Sequence, residues 1–375
     1  MTRSTLLVFP LDVDAARPFI ANARALGLRI VGASSAMASP RGRKVDSFHR
    51  LPYVSDPDFD AALAGLVRTE GIDQVFAPHT GVWRKFDALR RTDPARYPFR
   101  LCEPDPHRAA QEAFEDSERW AEQACRDTLA AAIVPQPGTR LAGMLSRAQY
   151  AGLHRNFVAT TGQCDEDKLL SLCAIARHAP RGDIVEIGVL YGRSAVALGW
   201  LGQRHGIGST ICVDPWQADK LLDQGPAAGL VNAKAAQVDF NPIFRSFLAS
   251  AALVGGIGYL RGTSTEAIAA YREAAGTGSL AGDELPTIAV SGRIAILHID
   301  GNHRYDMVKA DIALWSPHLC DGGWLLLDDY VWAFGDGPCR AGDELLGSGH
   351  FDTAFVAGGT LFLRKAAAAT AGEAA

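Results

Sequence analysis

The sequence predicts an α/β protein of two domains, each built around a parallel sheet. Strand-like and helix-like segments alternate along both halves, and in the second half the strands end in acidic residues or glycine turns. The 375 residues are 48% hydrophobic, which is enough to bury two cores. We place an N-terminal α/β domain at residues 1–140, a larger α/β domain at 141–365 and a disordered tail at 366–375.

The N-terminal domain shows repeated strand–helix–strand units. The segments TLLVF, LRIVGAS and IDQVFAP are typical of strands, and DAARPFIANARALG and DPDFDAALAGLVRTEG have helical spacing with glycine ends. The turn after the first strand, FPLDVD, lacks the glycine pattern that admits a pyrophosphate. In layout this domain resembles the preATP-grasp domain that precedes ATP-grasp modules. Pro135, Pro137 and Gly138 mark the predicted linker.

Charge and composition exclude several classes of function. Lys and Arg total 37 against 42 Asp and Glu, and no basic run occurs, so nucleic acid is not an expected partner. No stretch approaches the roughly 18 apolar residues of a membrane span, and no signal peptide is evident, so we expect a soluble cytoplasmic protein without membrane attachment. The seven cysteines have no metal-type spacing and are expected to be reduced thiols.

The second domain begins with a motif suited to ligand binding. DIVEIGVLYGRSAVALGWL predicts a strand, a glycine turn and a helix that begins near Ser194. Gly188 and Gly192 let the backbone approach a ligand, and the helix N-terminal amides with the Ser194 hydroxyl can bind a carboxylate. Glu186 adds negative charge at the end of the strand. A turn whose glycines serve packing alone remains an equal alternative.

Two further strand ends carry polar residues. Asp214 ends the strand in STICVD, where Rossmann-like sheets have an acid that accepts hydrogen bonds from ribose hydroxyls. An Asp-Pro turn is the simpler alternative, and the spacing from Glu186 favours the functional interpretation. RGTSTEA begins a helix, and helix capping alone could explain Thr263, Ser264 and Glu266.

Three aspartates follow the next two strands. Asp300 ends RIAILHID, and Asp328 and Asp329 end GGWLLLDD, so all three are expected at the carboxyl edge of one sheet. Carboxylates brought together raise one another's pKa unless a cation neutralises them. Oxygen ligands without cysteine favour a hard cation, Mg²⁺ first. The alternative is a set of solvated acids at strand ends.

His303 is the candidate general base. It lies three residues beyond Asp300, and an imidazole suits proton abstraction near neutral pH. Because NHRYD opens a helix, His303 could instead be a cap or a packing residue. His298, inside the strand, is expected to be a core residue.

Taken in order, DIVEIGVLYGRSA, CVDPW, RGTSTEA, LHIDGNHRYD and LLLDDY resemble the class I S-adenosylmethionine-dependent methyltransferases over residues 165–335. The pair HIDGNH and LLLDDY is similar to metal-dependent O-methyltransferases of the catechol type and to macrocin O-methyltransferase-like sugar enzymes. The resemblance implies a Rossmann-like sheet of seven strands. It also implies methyl transfer to a hydroxyl of a sugar or small natural-product acceptor, assisted by Mg²⁺ or another hard divalent cation.

The resemblance also implies roles for individual residues. The cofactor set is Glu186, Gly188, Tyr191, Gly192 and Ser194 for the methionine part, Asp214 for the ribose, and Thr263, Ser264 and Thr265 for the adenine. Asp300, Asp328 and Asp329 match the metal ligands, although the catechol enzymes have Asn at the last position. His303 stands where those enzymes have Lys and the sugar enzymes have His. A sugar-containing acceptor is the expected partner, and a homo-oligomer is left open.

Two other functions are disfavoured by the sequence, and several aromatic residues are candidates for contacts with the acceptor. A nicotinamide-dependent oxidoreductase is disfavoured because neither domain has G-x-G-x-x-G, and a non-catalytic binding or scaffold protein with a vestigial fold is disfavoured by the intact acidic set. The long segment between Asp214 and Tyr259 predicts an acceptor lid with Trp216 and Phe240 as walls. Tyr330 and Trp332 are candidates for stacking on the acceptor.

Overall fold

A computed structural model describes residues 4–40, 42–136, 141–220, 223–235 and 237–367. Contacts divide the chain into two units between Asp116 and Ser117, rather than near residue 140. The division falls earlier because Trp120 and Ala121 are buried in the core of the second unit. The predicted linker residues Pro137 and Gly138 and the tail from residue 368 lie outside the described residues.

The described part of the first unit contains a parallel sheet of five strands. Its elements are β1 (Thr5–Val8), α1 (Ala16–Ala25), β2 (Arg29–Ser34), β3 (Ser47–Arg50), α2 (Phe59–Glu70), β4 (Gln74–Phe76), α3 (Thr80–Thr92) and β5 (Arg100–Leu101). The strand order is β3-β2-β1-β4-β5. Strand β3 was not predicted, because SFHR has neither an apolar run nor a clear alternation.

Alternate residues of β1 face opposite layers of helix. Leu6 and Val8 belong to the same core as Ile20 and Ala23 of α1. Leu7 belongs to the core that contains Phe59 of α2 and Phe86 of α3. The sheet is therefore covered by α1 on one face and by α2 and α3 on the other, as period-2 alternation in a buried strand requires.

The second unit contains a larger mixed sheet. Helix α4 (Pro106–Arg126) spans the division, and the elements after it are α5 (Leu129–Ala132), α6 (Arg147–Ala159), α7 (Glu166–Ala176), β6 (Asp183–Ile187), α8 (Arg193–His205), β7 (Thr210–Asp214), α9 (Gly229–Ala235), α10 (Phe240–Val254), β8 (Ile257–Arg261), α11 (Ser264–Thr277), β9 (Ser279–Leu280), β10 (Ile288–Ala289), β11 (Ile294–Ile299), α12 (Tyr305–Trp315), β12 (Leu319–Leu327), α13 (Gly337–Gly347), β13 (Phe351–Ala357) and β14 (Thr360–Lys365). Strands β9 and β10 form a separate antiparallel pair.

The main sheet has seven strands in the order β13-β14-β12-β11-β6-β7-β8. The five from β12 to β8 are parallel, whereas β14 runs antiparallel to both β12 and β13. This order confirms the predicted α/β class and the Rossmann-like sheet of seven strands. It also brings the ends of β6, β7, β11 and β12 to one edge.

Two further findings concern the whole chain. Within the described ranges, no helix combines the length and the apolar character needed to cross a membrane. All seven cysteines are free thiols, and four of them are buried: Cys164, Cys173, Cys212 and Cys320.

Candidate functional site

The candidate site lies at the carboxyl ends of β6, β7, β11 and β12. Backbone hydrogen bonds align the residues just beyond these strands: Gly188 N–H to Val213 O (2.9 Å), Asp300 N–H to Ile187 O (2.8 Å) and Asp328 N–H to Ile299 O (2.9 Å). The glycine turn after β6 and the two aspartates are thus neighbours across the sheet edge. This is the edge at which open parallel sheets bind ligands.

The turn between β6 and α8 depends on two glycines. Gly188 has φ +83°, and a Cβ at this position would overlap the backbone carbonyl of Asp300. Gly192 has φ +86°, and a Cβ there would lie 2.7 Å from Cδ2 of Phe247. Glycine is therefore required at both positions for backbone conformation and for space.

Asp214 holds this turn in place from the end of β7. Its Oδ2 accepts the backbone N–H groups of Val189 and Leu190, both at 2.9 Å, and its Oδ1 accepts the N–H of Trp216 at 2.7 Å. Burial raises the pKa of Asp214, although the three N–H donors oppose the shift. A carboxylate has about four lone-pair sites, so one acceptor position on Oδ1 is left for a ligand hydroxyl.

Glu186 and His298 form a buried polar pair beneath the turn. Both side chains are fully buried, and Glu186 Oε1 accepts the hydroxyl of Ser194 at 2.5 Å. His298 Nδ1 lies 3.3 Å from the same oxygen. Glu186 Oε2 is buried without a hydrogen-bond partner among the described residues. His298 is therefore buried as predicted, but as part of a polar chain rather than of the apolar core.

Lys168 of α7 continues this chain on the other side. Its side chain is 2% exposed, and Nζ donates to Asp328 Oδ2 at 2.5 Å. Asp328 Oδ1 accepts the hydroxyl of Thr360, at the start of β14. His298 Nε2 lies 3.8 Å from Asp328 Oδ2. Both oxygens of Asp328 are therefore engaged by protein groups.

The pKa directions follow from this arrangement. Burial, and then the neighbouring Asp328 carboxylate, raise the pKa of Asp300 well above its ordinary value. Burial alone would raise the pKa of Asp328, but Lys168 and then His298 hold it well below its ordinary value. Burial and Lys168 oppose a charge on His298, yet Asp328 and Glu186 outweigh them and raise its pKa to about 9. The charge of Asp328 is thus neutralised internally, whereas that of Asp300 is not.

A second cluster opens toward the surface. His303 Nε2 lies 3.0 Å from Asp329 Oδ2 and 3.9 Å from Asp300 Oδ1. Burial lowers the pKa of His303, while the Asp329 carboxylate opposes the shift. The ring of Trp332 meets that of His303 edge-on, with 4.3 Å between centroids. Asp329 has φ +52°, a backbone conformation that few residues other than glycine adopt and that concentrates at functional sites.

Among the described residues, two groups of three side chains have donor atoms within 4.8 Å of one another and could hold a metal ion. One is His298, Asp300 and Asp328, and the other is Asp300, His303 and Asp329. Asp300 belongs to both groups, whereas Asp328 and Asp329 do not share one. The three aspartates of the sequence prediction are therefore close together, but in the described residues they are divided between an inner and an outer group.

The sequence of this edge matches a known family. Residues 185–330, from β6 to just beyond β12, match the family model described as a methyltransferase domain. These residues form a methyltransferase domain. The matched segment contains the glycine turn, Asp214 and all three aspartates, and Lys168 and Thr360 lie outside it. No curated protein matches the chain.

Three solved structures are similar to the chain at a distance. The O-methyltransferase NovP is 19% identical with a TM-score of 0.37, and the match covers 67% of this chain and 100% of that one. CalS11, a TDP-rhamnose 3'-O-methyltransferase of calicheamicin biosynthesis, is 16% identical with a TM-score of 0.33, over 66% and 93% of the two chains. MycE of the mycinamycin pathway, in complex with Mg, SAH and mycinamycin VI, is 15% identical with a TM-score of 0.29, over 50% and 45%.

The predicted adenine contacts of the methyltransferase domain include residues with structural roles. Thr263 caps α11 by accepting the N–H of Glu266, whose side chain accepts the N–H of Thr263 in return. Ser264 Oγ accepts the indole N–H of Trp315 at 2.8 Å. Thr265 is exposed beside them. The capping alternative therefore accounts for Thr263, and only Thr265 has a side chain free of such a role.

Two aromatic residues of the predicted lid do not line an open cleft. Trp216 is 1% exposed and Phe240 is 7% exposed. The Trp216 ring stacks on Phe247 at 4.9 Å, and its N–H donates to the carbonyl of Leu190 at 2.8 Å. The prediction that they form acceptor walls is therefore wrong. Their apolar surface closes the core of the domain instead.

The remaining predicted residues of the methyltransferase domain are three aromatic side chains. Tyr191 is half-buried in the glycine turn. Trp332 contacts His303, and Tyr330 donates to Asp343 at 2.6 Å. Of the two aromatic candidates, Trp332 is thus the one beside the acidic cluster.

Lys168 was not predicted as a site residue, although the sequence contains a signal for it. Lys168, Leu172 and Ile175 lie on one face of α7 at helical spacing, and all three are buried. A lysine on the apolar stripe of a helix requires a buried acid as its partner. The sequence could have indicated the buried charge, but not that Asp328, 160 residues away, would meet it.

We expect Gly192→Ala to lower the free energy of unfolding of the protein by about 2–3 kcal/mol, because alanine is strained at positive φ and its Cβ would contact Phe247. Gly152→Ala is the matched control. Gly152 lies inside α6 with open space around it, so alanine should stabilise the protein by about 0.5–1 kcal/mol. Urea unfolding of both variants measures the difference. Equal effects of the two would contradict the role given to Gly192.

Proposed function

We propose that the protein is an S-adenosylmethionine-dependent O-methyltransferase. It transfers a methyl group to a hydroxyl of a sugar or small natural-product acceptor, with a divalent cation and His303 as general base. The observation that carries the proposal is the packing of the glycine turn against the Asp300 backbone, beside the cluster of Asp300, His303 and Asp329. A cofactor-type turn and an acid–base cluster at one sheet edge suit transfer between two bound molecules.

The residues of the turn fit the cofactor. Gly188 and Gly192 leave no side chain between the backbone and a ligand, and the α8 N-terminus favours a carboxylate. The remaining acceptor position of Asp214 suits a ribose hydroxyl. Thr265 is available for the adenine, and Ser194 is held in place by Glu186. When bound, S-adenosylmethionine supplies an electrophilic methyl group on its sulfonium.

The outer cluster fits a divalent cation better than the inner one. Asp300 and Asp329 supply carboxylate oxygens, the ligand type that Mg²⁺ prefers. The raised pKa of Asp300 reflects burial and crowding with Asp328, and a bound cation would favour its ionised form. Lys168 and Thr360 already hydrogen-bond to the two oxygens of Asp328. We therefore assign the cation to Asp300 and Asp329, with Asp328 in a supporting position. When bound, the cation lowers the pKa of the acceptor hydroxyl.

His303 takes the hydroxyl proton on its imidazole ring, which lies beside Asp329. Burial keeps the imidazole neutral and ready to accept a proton, and the Asp329 carboxylate stabilises the imidazolium that results. Trp332 packs against the ring and limits access of water to it. Orientation of the two reactants contributes most of the rate.

His303 and the segment beside it support the proposed acceptor class. A base and a cation together suit an aliphatic hydroxyl, which is a weak acid. The backbone N–H of His303 donates to the side chain of Gln224 at 2.7 Å, and Asn302 donates to the carbonyl of Asp223. The segment between β7 and α9 therefore contacts the base, which supports its role as an acceptor lid.

Binding of the cofactor class is tested first. We expect S-adenosylhomocysteine to raise the melting temperature of the full chain by several degrees at saturation, because a ligand that binds only the folded state stabilises it. NAD(H) should have no effect, because neither unit has the glycine pattern for a pyrophosphate. Thermal unfolding with each ligand is the measurement. Stabilisation by NAD(H) alone would support an oxidoreductase instead.

The cation is tested separately. We expect EDTA to stop methyl transfer and Mg²⁺ to restore it, while the affinity for S-adenosylhomocysteine changes less than twofold, roughly the scatter expected of an unperturbed site. Mn²⁺ binding followed by electron paramagnetic resonance should weaken in Asp329→Asn and Asp300→Asn. Unchanged turnover in EDTA would remove the cation from the proposal.

A further inference from the structure

The first unit contains a cavity that the proposed methyl transfer does not use. Its volume is about 510 Å³, within the range of small-molecule sites. The residues that line it follow the carboxyl ends of four neighbouring strands: Phe9, Pro10, Asp12, Ser35, Ala36, Tyr53, Val54, Ser55, His79, Gly81 and Val82. All of them lie within the first unit.

The position of the cavity in the sheet is that of a ligand site. From β1 the chain passes through α1 on one face to β2 and β3, and it then returns to the other side of β1 as β4. The succession of strands therefore reverses between β1 and β4. Open α/β sheets bind their ligands at the carboxyl ends of the strands where this reversal occurs. The residues after β1 and those after β4 both line the cavity.

The walls of the cavity are held by internal hydrogen bonds. Ser34 is fully buried, accepts the N–H groups of Ala36 and Met37, and donates to Asp12 Oδ1 at 2.8 Å. Ser35 donates to the carbonyl of Pro52 at 2.7 Å, which ties the end of β2 to the segment after β3. The cavity is therefore formed before a ligand enters it, and little ordering opposes binding.

The lining of the cavity contains a carboxylate but no lysine or arginine, which favours cations over anions. Asp12 is the carboxylate among the lining residues, and His79 is the one residue with a basic side chain. Within the described residues, no ion pair of the Asp12 carboxylate is found. Arg43 donates to the backbone carbonyl of Asp12 rather than to its carboxylate. The N–H of Gly81 at the start of α3 is already accepted by the His79 ring. The lining therefore offers neither a lysine or arginine side chain nor this backbone N–H to a phosphate or carboxylate.

We propose that the first unit binds a small organic cation, an amine with an apolar ring, in this cavity. Asp12 Oδ1 keeps its bond to Ser34, and Oδ2 accepts the ammonium. The apolar ring lies against Pro10, Val54 and Val82, and the exposed ring of Tyr53 adds a cation–π surface. The site is separate from the methyltransferase domain and does not depend on its proposed function.

Three probes of similar shape and different charge test the proposal on the full chain. They are tyramine, which is a cation, N-acetyltyramine, which is neutral, and 3-(4-hydroxyphenyl)propionate, which is an anion. Isothermal titration should give the tightest binding for tyramine and the weakest for the anion. Asp12→Asn, which keeps an acceptor for Ser34, should weaken tyramine about tenfold and leave N-acetyltyramine unchanged, as loss of a charged hydrogen bond predicts.

A filling variant locates the binding. Ala36→Trp should abolish binding of all three probes, whereas Leu26→Trp, at a 79% exposed position just beyond α1, should change none of them. The affinity for S-adenosylhomocysteine should be the same in the two variants, which separates the cavity of the first unit from the proposed cofactor site. The proposal fails if tyramine does not bind, if the anion binds as well as tyramine, or if binding survives Ala36→Trp in a folded variant. It also fails if Asp12→Asn leaves the tyramine affinity unchanged.

Discussion

Replacing Lys168 with methionine is expected to lower the free energy of unfolding by about 3–5 kcal/mol. The ammonium lies 2.5 Å from Asp328 and is 2% exposed, so its loss leaves a carboxylate buried without a counter-ion. Methionine keeps most of the side-chain volume, so the effect reports charge rather than a cavity. Urea unfolding at neutral pH measures it.

Two variants separate the buried pair from lysine replacement in general. Lys309→Met removes a lysine that pairs with Glu344 at 2.5 Å on the surface, and it should cost less than about 1 kcal/mol. The double variant Lys168→Met with Asp328→Asn removes both charges and should recover part of the stability lost in the single variant. A loss below about 1 kcal/mol in Lys168→Met would contradict the account of a charge neutralised in the interior.

His303→Ala is expected to reduce the rate of methyl transfer by about 10²- to 10⁴-fold, the usual contribution of a general base. His303 faces Asp329 and Asp300 from outside the glycine turn, so the affinity for S-adenosylhomocysteine should stay within about twofold. Single-turnover kinetics and isothermal titration on the same preparation give the two quantities. Loss of cofactor affinity would place His303 in the binding of the cofactor instead.

Two controls define the role of His303. His350→Ala changes an exposed histidine between α13 and β13 and should leave the rate unaltered. Mn²⁺ affinity separates a base from a ligand, because a histidine that only takes a proton leaves the affinity of the cation nearly unchanged when removed. A matching fall of Mn²⁺ affinity and rate in His303→Ala would make His303 a ligand of the cation rather than the base.

The sequence predicted the elements with strong periodicity and clear ends. Strands β1, β2 and β4 and helices α1 and α2 lie where the alternation of apolar runs and glycine stops indicated. Strand β3 and the division between Asp116 and Ser117 were not predicted. Both depend on which hydrophobic core a residue packs into, as Trp120 packs into the core of the second unit. A local sequence pattern does not carry that information.

The sequence predicted which residues form the candidate site better than it predicted which of them pair with one another. Asp300, Asp328 and His303 could be named from their positions at strand ends, because parallel strands share an edge. The pairing of Asp328 with Lys168 could not be predicted, since the two residues are 160 positions apart in the sequence. Trp216 lies two residues after Asp214, yet it is buried. Its indole N–H donates to the backbone carbonyl of Leu190 in the glycine turn.

The last strand of the main sheet has a consequence for biosynthesis. Strand β14 lies between β12 and β13, and its first residue, Thr360, donates to Asp328. On a ribosome, a nascent chain that has emerged only as far as residue 359 has Lys168 and Asp328 but lacks the hydroxyl and the strand that cover them. Until β14 pairs with β12, one of the two groups that hydrogen-bond to Asp328 is therefore absent.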